Sequence, residues 1–375
     1  PGERETGSVP APAFGAEGGP PRSGRPPAPG GRGSRKGGSR RSGGKLALKN
    51  WRVRSRLIAL IVIPTAAAIV LGGLRVTASI NTAAEYERAH TSAELTAALS
   101  ELAHHMETER DLSARFVAQG RGGTGRAKLQ EQYRTVDQLV KGVRDRIDII
   151  AAGDAVESLG EQGKAELDQV RDRLDELASV RKTAINTQFP ALSTISMYTG
   201  TISDLLALHD EFQSVADQTL AGSATAFGAL TRAKEQASRE RAYLAVGLAA
   251  RSFTPEGLNA LLAARAQRDS ELAAFRAEAS ITQRQLYDDT VSSQKKDRAE
   301  SIRARSLVLA LNGQPLIRVD ASGSGAGDQT SWFDASSDAV DRMRAVEKQI
   351  ADTLIEQSRA LQESEQRGAL ITAGL

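Results

Sequence analysis

LQEQYRTVDQLVKGVRDRIDII, residues 129–150, is the stretch on which the fold class turns. Its apolar side chains Leu129, Tyr133, Val136, Val140, Val143, Ile147 and Ile150 follow one another at steps of four and three without a miss. That spacing places them on one stripe of an α-helix, whereas a half-buried strand would need strict alternation. The stripe is a seam of coiled-coil type, so it needs apolar partners on neighbouring helices. Leu95, Leu99, Leu102 and Met106 repeat the pattern upstream, and Met343, Val346, Ile350, Leu354 and Leu361 repeat it near the C-terminus.

Outward from that segment, helix reads almost throughout. Gly120-Arg-Gly-Gly-Thr-Gly125 ends the preceding helix, because four glycines in six residues are costly to hold helical. Pro190 follows a helix near 164–183 and marks a break, after which a helix runs from about Ala191 to Leu220. Gly222 is expected to separate that helix from one over 224–250. Thr254-Pro255-Glu256 reads as a helix start, with Thr254 as N-cap, and the helix is expected to reach about Asn312. Residues 312–330 form the one long irregular stretch before the last helix. With no convincing β-rich run, the expected fold is all-α: antiparallel up-and-down helical bundling over residues 77–366.

Leu57 to Leu74 (LIALIVIPTAAAIVLGGL) holds no charge. As a helix these residues rise roughly 27 Å, just enough for a hydrocarbon core of about 30 Å. Residues 1–56 carry thirteen Lys/Arg against Glu3, Glu5 and Glu17, leaving 36 of the 49 basic residues and 43 of the 46 acids for the remainder. The basic flank is expected in the cytoplasm, with everything after the anchor (residues 51–76) outside the cell membrane. The alternative is a cleaved leader, but such leaders have a shorter apolar core near the N-terminus. The small, apolar end Gly368–Leu375 reads as the start of a second crossing over 367–375.

Residues 1–50 are Gly, Pro, Ser and Arg with few large apolar side chains, so a disordered basic arm is expected. Arg22 to Arg56 holds twelve basic residues and no acid, which admits nucleic-acid binding. Only Phe14 and Trp51 could stack on bases there, so the preferred reading is a tail beside anionic lipid and no nucleic-acid partner. The chain has no cysteine, which removes thiol nucleophiles and thiolate metal sites, and aromatics at 4% suit long helices.

No phosphate-binding loop, nucleophile elbow, zinc-protease motif or dinucleotide fingerprint is present. His90, His104, His105 and His209 lack metal-ligand spacing, and neither a metal nor a cofactor is expected. What remains is a Glu-Arg pair repeated on two helices, in Glu107-Thr-Glu-Arg-Asp-Leu-Ser-Ala-Arg-Phe116 and Glu235-Gln-Ala-Ser-Arg-Glu-Arg-Ala-Tyr-Leu244. Arg241 falls on the stripe Leu230, Ala237, Leu244, Leu248, and Arg110 falls near Leu99, Met106, Val117. An inward arginine needs an anionic partner. Two guanidinium groups facing each other suit a planar anion between them. The other reading has each arginine paired near the surface with Glu107, Glu109 or Glu240.

METERDLSARFVAQG (106–120), AKEQASRERAYLAVGLA (233–249) and SWFDASSDAVDRMRAVEKQI (331–350) together resemble the nitrate- and nitrite-sensing (NIT) domain. The resemblance covers roughly residues 80–360 and implies an all-helical receptor domain. The layout is similar to the input half of an actinobacterial sensor histidine kinase. Family arginines that bind the anion match Arg110 and Arg241 here, with Arg239 replacing Arg241 if the late motif is read two residues earlier. The segment around Trp332 is expected to restart the last helix. The early motif departs from the family in carrying Asp111 where glycine is common, which sets a carboxylate beside the site.

The resemblance thus implies a membrane receptor that binds nitrate or nitrite between two arginine-bearing helices and works as a homodimer. A kinase domain would lie beyond residue 375, since the present residues hold no catalytic site, and through it a response regulator would be a partner. The alternative is a helical interaction or dimerisation module without a small ligand.

Overall fold

The computed structural model describes residues 53–122, 125–152, 160–186, 188–213, 218–316 and 327–373. The basic arm expected over residues 1–50 lies outside them, as does the end of the expected second crossing, 374–375. Among the described residues the regular structure is helical: α1 (Val53–Ala118), α2 (Gly125–Ala152), α3 (Gly160–Asn186), α4 (Ala191–Gln213), α5 (Gln218–Ala250), α6 (Pro255–Glu278), α7 (Ile281–Val291), α8 (Gln294–Leu311) and α9 (Gly327–Ala373). The chain divides into two compact units, residues 1–63 and 64–375, and the packing described below belongs to the second.

The opening seam behaves as its spacing requires. Leu129, Val136, Val140, Val143, Ile147 and Ile150 are buried on α2, while Tyr133 is half-buried. Val136, Val140, Val143, Ile147 and Ile150 join Leu95, Leu99, Leu102 and Met106 of α1, Leu167, Val170, Leu174 and Leu177 of α3, and Tyr198, Ile202 and Leu205 of α4 in one apolar cluster. Met343, Val346, Ile350 and Leu354 of α9 pack instead with Phe227 and Leu230 of α5, Phe275 of α6 and Tyr287 of α7.

Polar contacts between helices fix their directions. Arg144 pairs with Asp175, Arg171 with Asp148 (2.7 Å) and Arg181 with Asp137 (2.6 Å), so numbers rise along α2 as they fall along α3. The pairs Arg232–Glu271 (3.1 Å) and Arg268–Glu240 (2.5 Å) make α5 and α6 antiparallel in the same way. Ser100 with Arg344 (2.5 Å), His104 with Asp341 (3.7 Å) and Arg115 with Thr330 (3.4 Å) do so for α1 and α9.

Helix ends follow local chemistry. α1 closes with Gly120 at φ +77° and Arg121 at φ +61°. The Arg121 N–H bonds to the Phe116 carbonyl (2.9 Å) and the Gly120 N–H to that of Val117 (3.0 Å), which satisfies carbonyls the last turn leaves open. Thr254 caps α6, its hydroxyl accepting from the Gly257 N–H at 3.1 Å.

Three expectations need correction. Gly222 does not separate two helices but lies inside α5. An internal glycine costs roughly 1 kcal/mol, and here the chain of α6 packs close by, with the Glu278 carbonyl oxygen 3.9 Å from where a Cβ would stand. The helix expected over 191–220 ends at Gln213, with residues 214–217 outside those described. The single helix expected from Pro255 to Asn312 is three helices. Ser280 opens α7 with a reciprocal capping box to Gln283 (3.2 and 2.8 Å), and the Ser293 hydroxyl accepts from the Lys296 N–H (3.1 Å) to open α8.

The uncharged run forms part of α1, and Leu57, Ile58, Leu60, Ile61, Val62, Ile63, Ile69, Val70, Leu71 and Leu74 are exposed. Among the described residues no helix is long and apolar enough to cross a membrane. The membrane span over residues 51–76 is therefore not seen.

Candidate functional site: a buried arginine pair closed on one carboxylate

The polar faces of α1 and α5 meet in the middle of the second unit. Glu107, Arg110 and Asp111 lie within two turns of α1, and Lys234, Ser238 and Arg241 follow at steps of four and three on α5, with Glu235 next to Lys234. Helical spacing therefore directs each set toward the other helix. The contacts Glu107–Lys234 and Asp111–Arg241 show that α1 and α5 run in the same direction.

Arg110 is 0% exposed and Arg241 1% exposed. The Arg110 Nε donates to Asp111 Oδ1 at 2.9 Å, and the Arg241 Nε donates to Asp111 Oδ2 at 2.7 Å. One carboxylate thus bridges both guanidinium groups. The Ser238 hydroxyl joins them as well, accepting from Arg110 Nη2 (3.0 Å) and Arg241 Nη2 (3.1 Å) and donating to Asp111 Oδ2 (2.9 Å).

Further groups hold each arginine in place. Arg110 Nη1 donates to Glu235 Oε1 at 2.6 Å and to the Thr199 hydroxyl of α4 at 3.3 Å. Arg241 Nη1 donates to the Ser337 hydroxyl of α9 at 3.0 Å, and its guanidinium lies 5.3 Å from the Phe333 ring centre. Trp332 Nε1 donates to the Arg241 carbonyl at 3.1 Å. The segment around Trp332 therefore grips the second arginine from backbone and side chain, a role beyond restarting the last helix. Burial draws the Arg110 guanidinium toward neutrality, but Glu235 and Asp111 outweigh it and raise its pKa.

A second charged layer lies one turn back. Lys234 Nζ is buried, 2.8 Å from Glu107 Oε1 and 3.8 Å from Glu347 Oε2. Glu347 also accepts from the Thr231 hydroxyl (2.6 Å) and from Arg344 (2.9 Å). Burial pushes the Glu107 carboxyl up to about 7, with Lys234 pulling the other way. Glu347 is also desolvated, but Lys234 and Arg344 outweigh burial and lower its pKa. His104 stands beside this layer, its pKa held well below the usual histidine value by burial and then by Lys234. On another face of α1, Arg181 of α3 donates two parallel hydrogen bonds to Glu109 (2.9 and 2.7 Å), and the Tyr198 hydroxyl donates a third (2.9 Å).

Arg110 and Arg241, named from the sequence, are thus brought onto one carboxylate. Arg239 is half-buried and donates to Gln236 (3.2 Å), apart from this cluster. The carboxylates that could have paired locally with the two arginines are engaged elsewhere: Glu107 by Lys234, Glu109 by Arg181, and Glu240 by Arg268 and Arg303. Sequence reasoning missed Glu235, Ser238, Lys234 and Arg181. The first two could have been found, because Glu235, Ser238 and Arg241 recur every three residues on one helix face. Among the described residues no group of three or more His, Cys, Asp or Glu is placed to hold a metal ion. The His209 side chain lies outside the described residues.

A family model described as nitrate and nitrite sensing matches residues 101–355, a span that includes both arginines and the Trp332 segment. No curated protein matches the chain. A solved structure described as the NasR transcription antiterminator superposes with a TM-score of 0.63 at 18% identity, over 84% of this chain and 83% of that one. At that identity the likeness carries the fold alone, and antitermination is said of that protein.

Proposed function

The chain belongs to the nitrate- and nitrite-sensing family, and from that premise we propose that it senses nitrate or nitrite held between Arg110 and Arg241. One observation carries the reading: two buried guanidinium groups converge, each through its Nε, on the two oxygens of a single planar anion. A carboxylate and a nitrate both present oxygens on a trigonal centre, and a guanidinium meets either edge-on with parallel N–H groups. Chloride offers one atom and cannot bridge the pair in this way, and sulfate is tetrahedral. Burial adds strength, because water does not compete for the donors.

Signalling follows from where the arginines sit. Arg110 belongs to α1 and Arg241 to α5, and Ser337 and Trp332 tie Arg241 to α9. An anion that binds one arrangement of these helices better than another shifts their relative position, and only that difference in affinity can drive a response. The proposed context is a membrane receptor with an extracytoplasmic sensing bundle and a cytoplasmic N-terminus, working as a homodimer. The exposed run Leu57–Leu74 at the start of α1 supports attachment to lipid, since exposed apolar side chains of this extent seek a nonaqueous partner. Output through a histidine kinase and its regulator belongs to the same proposal.

A second reading has an observation of its own. Asp111 and Glu235 already balance the two arginines, as a purely structural cluster in a protein-interaction module would require. Calorimetric titration of the chain, purified in mild detergent, separates the two. Saturable heat with nitrate or nitrite, absent with sulfate and lost in Arg110→Ala and Arg241→Ala, supports sensing. No heat from folded protein with any anion leaves the interaction module.

A further inference from the structure

The charge balance that permits the second reading also says how the first would work. Resting on the nitrate- and nitrite-sensing assignment, we infer that Asp111 is a tethered occupant of the anion site, so that ligand binding is an exchange of one planar anion for another. Its two oxygens meet the two Nε groups at 2.9 and 2.7 Å, and Oδ2 also accepts from the hydroxyl that joins the arginines. These are the positions two oxygens of a bridging nitrate would take.

The side chain is poised for this role by its place in the chain. Asp111 immediately follows Arg110, and the short side chain still reaches the guanidinium of its neighbour. Arg241 stands 130 residues away in sequence, so the same carboxylate supplies the tie between α1 and α5. Ligand that displaces it takes over the α1–α5 link, and the helix pair is then held by a free anion in place of a side chain fixed to α1. Asp111 therefore sets both the apparent affinity and the helix spacing of the unliganded protein.

A tethered competitor lowers apparent affinity by the fraction of time it holds the site. Removing one partner from a buried charge pair is worth a factor on the order of a hundred or more. The test compares wild type, Asp111→Ala, Asp111→Asn and Arg241→Lys as full chains in detergent, with nitrate and acetate titrated by calorimetry and unfolding followed by circular dichroism. Nitrate is expected to bind Asp111→Ala on the order of a hundredfold more tightly than wild type. Acetate, which returns the missing carboxylate, is expected to bind Asp111→Ala far more tightly than wild type.

Equal nitrate affinity in wild type and both Asp111 variants, with weaker binding in Arg241→Lys, overturns the exchange and leaves the sensing assignment standing. Acetate binding to Asp111→Ala without nitrate binding to any variant keeps the exchange and sinks nitrate as ligand. If Asp111→Ala is unfolded without anions, refolding by nitrate or acetate supports the exchange. If neither anion refolds it and folded Asp111→Asn responds to neither, the inference fails.

Discussion

Replacing Arg181 with alanine probes how the α1–α3–α4 side of the bundle is held. Glu109 is fully buried, and Arg181 donates to both of its oxygens at 2.9 and 2.7 Å. After the change, Glu109 keeps only the Tyr198 hydroxyl at 2.9 Å. Each charge-assisted hydrogen bond contributes about 1.5–3 kcal/mol, and a buried carboxylate without its cation carries a desolvation penalty besides. The guanidinium also lies 4.4 Å from the centre of the Tyr133 ring and pairs with Asp137 at 2.6 Å. Asp137 is largely exposed, so that pair adds at most about 1 kcal/mol. The expected loss is about 3–5 kcal/mol, read as a lower urea midpoint at unchanged slope by circular dichroism at 222 nm. Most of the loss comes from stranding Glu109, so adding Glu109→Gln to Arg181→Ala should recover more than half of it. A loss below about 1 kcal/mol, or a double variant no better than the single one, would refute the reasoning.

Three further outcomes follow from the same structure. Burial raises the Glu107 carboxyl from 4.5 to about 7, so the native state binds more protons than the unfolded chain between those values. The contribution of Glu107 to stability is then fully present below about pH 4.5 and is lost as the pH rises toward 7. Glu107→Gln should remove that slope in urea titrations from pH 4.5 to 7, whereas an unchanged slope assigns it to another group. At Gly247 an added Cβ would meet the Phe253 ring at 2.4–2.8 Å, so Gly247→Ala should cost about 1–3 kcal/mol and Phe253→Leu should restore part of it. Ser280→Ala removes the capping box of α7 and should cost about 1 kcal/mol in the same assay, with no effect on anion titrations.

Legibility in the sequence tracked the range of the interaction that decides each feature. The seam Leu129–Ile150 and the stripe Leu95–Met106 were readable because helical spacing alone dictates which side chains are buried. Thr254 and Pro255 likewise carry their cap within four residues. The breaks at Ser280 and Ser293 carry signals just as local, Ser280 with Gln283 three residues on, but neither has a proline or glycine beside it to mark the end of a helix. Gly222 is a weak stop signal because one internal glycine costs only roughly 1 kcal/mol, which the packing of the rest of α5 outweighs.

Within the candidate site, Arg110 and Arg241 were reached through their motifs and their inward stripes. Asp111 was noticed as a carboxylate beside the site, but its position between the arginines depends on Arg241, 130 residues away. Lys234 reads as a surface lysine in sequence and is buried only because Glu107 and Glu347 arrive from two other helices. Arg181 sits on a helix of mostly exposed charges, with nothing nearby to mark Glu109 as its partner.

Nitrate titration of the full chain against its Arg241→Lys variant tests the central claim most directly. Lysine keeps the positive charge beside Asp111 but loses the planar fork that meets two oxygens at once, so the fold is retained while the clamp is not. The account predicts saturable nitrate or nitrite binding in wild type and at least tenfold weaker binding in the variant, with far-ultraviolet spectra that coincide. Equal affinity in the two proteins would contradict it.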